Sequence, residues 1–94
     1  MNLKQAIAET NPDAMFIDEH DSALIGMGGA FGKVLAVYDR AKIITNLVNK
    51  GMSAEEAATY CAYNIDGAWV GDNTPIIVDL ILPDPSHHGP QDQR

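Results

Sequence analysis

The sequence predicts a small single domain of the α+β class, and three observations carry that prediction. Two adjoining segments repeat apolar residues at the helical period, each with its own cap, on either side of Lys50-Gly51-Met52. Two β-prone runs, Ala23 to Met27 and Val34 to Tyr38, flank a glycine-rich stretch. A third apolar run, Ile76 to Leu82, lies near the C-terminal end. The expected architecture is an N-terminal helix, a short antiparallel sheet of about three strands and two consecutive helices. The expected order is helix, strand, strand, helix, helix, strand.

Asn2 to Thr10 reads as the first helix: Asn2 caps it, Gln5 completes a capping box, and Leu3, Ala6 and Ile7 form an apolar stripe. Asn11-Pro12-Asp13 ends it. Ala14 to Ile17 is a brief apolar run that fits either a strand or a helical turn, and Asp18-Glu19-His20-Asp21 reads as a solvated loop. The two strand runs enclose Gly28-Gly29-Ala30-Phe31-Gly32-Lys33, which suits a hairpin or a longer loop.

Asp39 caps the next helix, whose apolar residues are Ile43, Ile44, Leu47 and Val48, and Gly51 supplies its left-handed stop. Ser53 and Glu56 form the capping box of the helix that follows. Ala54, Ala57, Ala58, Cys61, Ala62 and Ile65 mark one mostly small face, suited to close packing, and Gly67 is the expected end. The run Ile76 to Leu82 is apolar except for Asp79, which suggests a central strand covered on both faces. Pro83-Asp84-Pro85 stops it. The domain is thus placed at residues 1–83, and residues 84–94 are expected to be a disordered tail, because they lack an apolar anchor.

Composition narrows the function classes. Ninety-four residues suit one domain, which buries only about two-thirds of its unfolded surface. Cys61 is the only cysteine, so no disulfide forms within the chain. Self-association is therefore the expected way to add buried surface, and a homodimer the expected form. Thirteen acidic residues against six basic ones give a net charge of -7, which opposes direct binding to nucleic acid. Met1 to Gln5 lacks the apolar core of a signal peptide, and no apolar run approaches the ~20 residues of a membrane span. A cytoplasmic location without membrane contact is the resulting expectation.

The blocks Leu24-Ile25-Gly26-Met27-Gly28, Leu35-Ala36-Val37-Tyr38-Asp39, Gly51-Met52-Ser53-Ala54-Glu55-Glu56-Ala57 and Tyr63-Asn64-Ile65-Asp66-Gly67-Ala68-Trp69-Val70-Gly71-Asp72 resemble a family of small uncharacterised proteins of tailed bacteriophages and bacteria. The resemblance spans roughly Ala23 to Val78 and is most specific from Tyr63 to Pro75. Such proteins tend to carry a basic, cysteine-containing turn after the second glycine. This chain has Gly29-Ala30-Phe31-Gly32-Lys33 there and lacks any chemistry of that cysteine. The resemblance implies a phage or mobile-element origin, hence a host cytoplasm, and no particular reaction.

Candidate chemistry is sparse. Gly26, Gly28, Gly29 and Gly32 with Lys33 suggest a phosphate loop, but the spacing fails: the position that needs the first glycine is Met27, and Val34 follows the lysine. The dinucleotide fingerprint fails too, because Phe31 occupies its third glycine position. Backbone amides of the glycine turn with Lys33 are left as a site for a small anion. Cys61 lies on the small-residue helix face without a neighbouring base, as a structural cysteine would. His87-His88 is a pair without further ligands, so neither a metal nor another cofactor is expected.

Trp69, between Gly67 and Gly71 and beside Asp72, reads first as a core anchor and second as part of a binding platform with Tyr38, Tyr60 and Tyr63. Asn64 would add hydrogen bonds there and Asp66 a charge. The candidate ligand- or partner-binding residues are thus Gly28, Gly29, Lys33, Tyr38, Tyr63, Asn64, Trp69 and Asp72. No nucleophile–base pair stands out. The expected function is non-enzymatic binding or inhibition of a host protein or defence component; the alternative is binding or sequestering a nucleotide.

Overall fold

The computed structural model describes residues 2–30, 32–66 and 71–81. Helix α1 (Leu3–Thr10) starts at a complete capping box, with the Gln5 amide donating to Asn2 Oδ1 at 2.8 Å and the Asn2 amide to Gln5 Oε1 at 3.2 Å. It buries Ile7 and stops at Asn11, whose amide closes the last turn onto the Ile7 carbonyl. The Asn11 side chain then ties three segments together. Its Nδ2 donates to the Val34 carbonyl at 2.8 Å and to Asn73 Oδ1 at 3.0 Å. Residues 14–17 form neither strand nor helix, yet Ala14, Phe16 and Ile17 pack against the core.

A single 3-10 turn (Asp21–Ala23) leads into β1 (Leu24–Ala30), which pairs antiparallel with β2 (Lys33–Asp39). Ala23, expected to open the strand, is instead a fully buried turn residue. At the other end the ladder reaches further than expected. Gly28, Gly29 and Ala30 are strand residues paired with Leu35, Val34 and Lys33, and the turn contracts to the two residues between Ala30 and Lys33. Gly32 supplies the left-handed conformation there, at φ 79°. A one-residue bulge separates the Leu24–Tyr38 and Gly26–Val37 pairs.

After β2 the chain runs through α2 (Arg40–Asn49) and α3 (Ala54–Cys61) before β3 (Ile76–Val78). Asp39 Oδ1 caps α2 through the Ala41 amide at 3.0 Å, and Gly51, at φ 114°, turns the chain into the Ser53–Glu56 capping box of α3. A helical crossover of this kind lets the returning strand lie parallel to the one it left. β3 accordingly pairs parallel with β2, so the sheet is mixed rather than wholly antiparallel.

The strand order β1-β2-β3 makes β2 the central strand and β3 an edge, which reverses the expected placement. β3 also ends at Val78 instead of reaching Leu82. Asp79 leaves the ladder to pair with Arg40 at 2.7 Å, and Leu80 and Ile81 are exposed. The two-sided burial belongs to β2, where Leu35, Ala36, Tyr38 and Asp39 are all covered.

One core joins Ile7, Ala23, Ala36, Tyr38, Ile43, Leu47, Ala57 and Cys61. Of the expected small face, Ala57 and Cys61 join this core and Ile65 packs against it from the following turn, while Ala54, Ala58 and Ala62 are exposed. The packed stripe is therefore narrower than the six-residue pattern suggested. No helix among the described residues is long and apolar enough to cross a membrane. The tail expected to be disordered and the helix end expected at Gly67 lie outside the described residues.

Candidate functional site

The narrow buried stripe of α3 leaves its other side to solvent. A π-helical turn (Ala62–Asp66) extends the helix, with Asn64 Nδ2 donating to the Tyr60 carbonyl at 3.2 Å. Tyr60 and Tyr63, three residues apart on one edge, are 42% and 79% exposed. With Met52, Glu55, Glu56, Thr59 and Asn64 they line an open cleft of about 450 Å³. The cleft combines apolar and aromatic surface with two acidic groups. Glu56 is itself held below the usual glutamate range by hydrogen bonds from Ser53, so it stays ionised.

Across Met52, Tyr60 and Asn64 this surface continues into a second cleft of about 450 Å³ beside the loop at residues 17–20. That loop is tightly turned: Glu19 has φ 68°, and the Ala23 amide donates to the His20 carbonyl at 2.9 Å. His20 was expected in a solvated acidic run, but it is only 5% exposed. Its Nδ1 lies 3.2 Å from Asn46 Nδ2 on α2, and Asn46 also bonds Ser22. The Lys50 ammonium closes over the loop by pairing with Glu19.

These neighbours set the electrostatics. Burial, and then the nearby Lys50 ammonium, hold the His20 imidazole below its ordinary pKa, against a smaller opposing pull from Glu19. The hydrogen bond and charge of Lys50 depress the Glu19 carboxyl. The loop is anchored from below by Tyr38, whose hydroxyl accepts the Ile17 amide at 2.9 Å and whose pKa is raised chiefly by burial.

A smaller apolar cleft of about 220 Å³ adjoins the second one through Ile17, Asn64 and Ile65, with Phe16, Pro75 and Ile77 on its far wall. Asn64 therefore stands where all three clefts meet. The candidate residues separate accordingly. Tyr63 and Asn64 share the α3 edge, whereas Gly28, Gly29, Lys33, Tyr38 and Asp72 line none of these clefts.

Gly28 and Gly29 sit within a β-ladder rather than an amide-presenting loop. Tyr38 is fully buried, so it anchors the core and is not part of an exposed platform. Asp72 is exposed in the turn that begins at Gly71. Trp69, His87 and His88 lie outside the described residues. Cys61 is buried, and its thiol is pushed above the ordinary range by that burial, with Arg40 pulling the other way. No group of three or more His, Cys, Asp or Glu poised to hold a metal occurs among the described residues.

His20 and Lys50 were not candidate binding residues. A histidine inside an acidic run gives no local signal of burial, because the helix that covers it lies 26 residues away. No protein family, curated protein or solved structure matches this chain.

Proposed function

We propose that the protein acts as a non-enzymatic binding module that engages another protein through the α3 edge. The observation that carries this reading is the exposure of Tyr60 and Tyr63 on one helical edge beside Met52, with Glu55 and Glu56 bordering the same cleft. Exposed tyrosines beside a methionine are typical anchors of protein interfaces, and a tyrosine ring, with two side-chain torsions, is ordered at little entropic cost. The two acidic groups and the net charge of -7 favour a partner segment with an apolar anchor flanked by basic residues. Taken with the resemblance to phage proteins, this supports a bacterial host or defence protein as the partner.

The test is site-specific photo-crosslinking from position 63 in host lysate, compared with capture by wild type and Tyr63→Ala. The expected result is a crosslinked species whose capture is lost in Tyr63→Ala, with thermal stability unchanged because Tyr63 is mostly exposed. Capture that survives Tyr63→Ala and Tyr60→Ser together would reject this edge as the interface.

A further inference from the structure

We propose that the cleft beside His20 binds a small zwitterionic ligand of the free α-amino acid class, with an apolar side chain. This goes beyond the protein-binding reading and does not rest on it. The first ground is an unused hydrogen-bond donor. His20 Nδ1 faces the amide nitrogen of Asn46, so in the neutral ring Nδ1 accepts and Nε2 carries the proton. The residue is 5% exposed, lines the cleft, and its Nε2 has no hydrogen-bond partner among the described residues. A buried N–H group in that position calls for an acceptor.

The second ground is the charge of the walls. Asp18, Glu19 and Lys50 line the same cleft, and only Glu19 is paired with Lys50. Two carboxylates against one ammonium leave one net negative charge, carried by Asp18. A plain anion that offered an oxygen to His20 would meet that charge. A ligand that satisfies both groups brings an acceptor for Nε2 and a cation for Asp18, as the carboxylate and ammonium of an amino acid do. The third ground is the remaining wall. Ile17, Leu47, Met52 and Ile65 supply apolar surface for the body of the ligand, and a volume of about 450 Å³ suits a small molecule. Burial and Lys50 keep the imidazole neutral near pH 7, which preserves Nε2 as a donor.

The experiment uses the full chain, labelled with nitrogen-15, and follows the His20 ring nitrogens while L-leucine is added. Acetate and isobutylamine serve as controls carrying one charge each. The expected result is an Nε2-protonated ring in the free protein, a shift of the Nε2 signal with L-leucine, and a higher melting temperature by linkage. Both single-charge controls should bind at least tenfold more weakly. Asp18→Asn, an exposed change that leaves the core intact, should weaken L-leucine binding by about tenfold, as expected from losing roughly 1.4 kcal/mol. Tyr63→Ala should leave it unchanged, because Tyr63 does not line this cleft. An unmoved Nε2 signal would mean that solvent water alone satisfies the group and would overturn the proposal. An equal response to acetate would overturn it too, by showing simple anion binding.

Discussion

The glycine hairpin and the loop at residues 17–20 lie on opposite ends of the same central strand and are built in opposite ways. In the hairpin, Gly26, Gly28 and Gly29 are spent on the backbone: each is registered against a β2 residue, and little side-chain chemistry remains. In the loop the backbone is tightly turned, and the side chains carry the unsatisfied chemistry. One imidazole is buried with a single side-chain partner, under a lysine–carboxylate pair. The contrast teaches where polar groups stay available: the β-ladder uses those of the glycines, whereas the loop leaves Asp18 and His20 lining a cleft.

Tyr38 connects the two regions, since it stands on β2 and holds the loop through the Ile17 amide. Tyr38→Ala should therefore have the largest effect, about 3–5 kcal/mol of stability, read from urea denaturation. Tyr38→Phe, which removes only the hydroxyl, should cost roughly 1–3 kcal/mol by leaving the Ile17 amide without its acceptor. If the two substitutions cost the same, the hydroxyl's hold on the loop, and not the packing of the ring, would account for the whole contribution of Tyr38.

Asn46→Ala tests the loop alone. It removes the side chain that faces His20 Nδ1 and Ser22, and should cost about 1–2 kcal/mol. The loop should also respond to pH in a definite direction. The His20 pKa is lowered in the fold from an ordinary 6.5, so below that value the unfolded chain binds more protons than the native one. Stability should fall as pH drops through 6.5 and level off once pH passes below the folded-state value. Lys50, which also disfavours a charged imidazole, and Glu19, which favours it, set the size of the effect. Thermal melts of wild type and His20→Gln between pH 7.5 and 5, a range of about 2 to 3 pH units around the histidine value, should differ in slope. Equal slopes would remove His20 from the account.

The smallest effects belong to the hairpin. A β-carbon on Gly28 would lie 3.3 Å from a Val37 methyl, whereas one on Gly26 would meet nothing within 4 Å. Gly28→Ala should cost about 1 kcal/mol through crowding. Gly26→Ala should be neutral or stabilise by about 0.5 kcal/mol, since it restricts the unfolded chain. A reversed order would show that Val37 yields more readily than its packing suggests.

Local signals decided a good part of this protein. Asn2 with Gln5, Asp39, Gly51, and Ser53 with Glu56 each act on backbone groups within a few residues, and all four helix boundaries that they mark appear where expected. The exposed edge with Tyr60 and Tyr63 was legible for the same reason, because helical spacing alone puts them side by side. The tertiary structure decided the rest. Whether an apolar run becomes a centre or an edge depends on which strand the crossover returns beside. Ile76 to Val78 therefore lies parallel at the edge, while β2 takes the middle. His20 shows the same dependence: its acidic neighbours suggest solvent, and only α2 folding back with Asn46 and Lys50 buries it, because burial is a property of the elements packed around a residue and not of its neighbours in the chain.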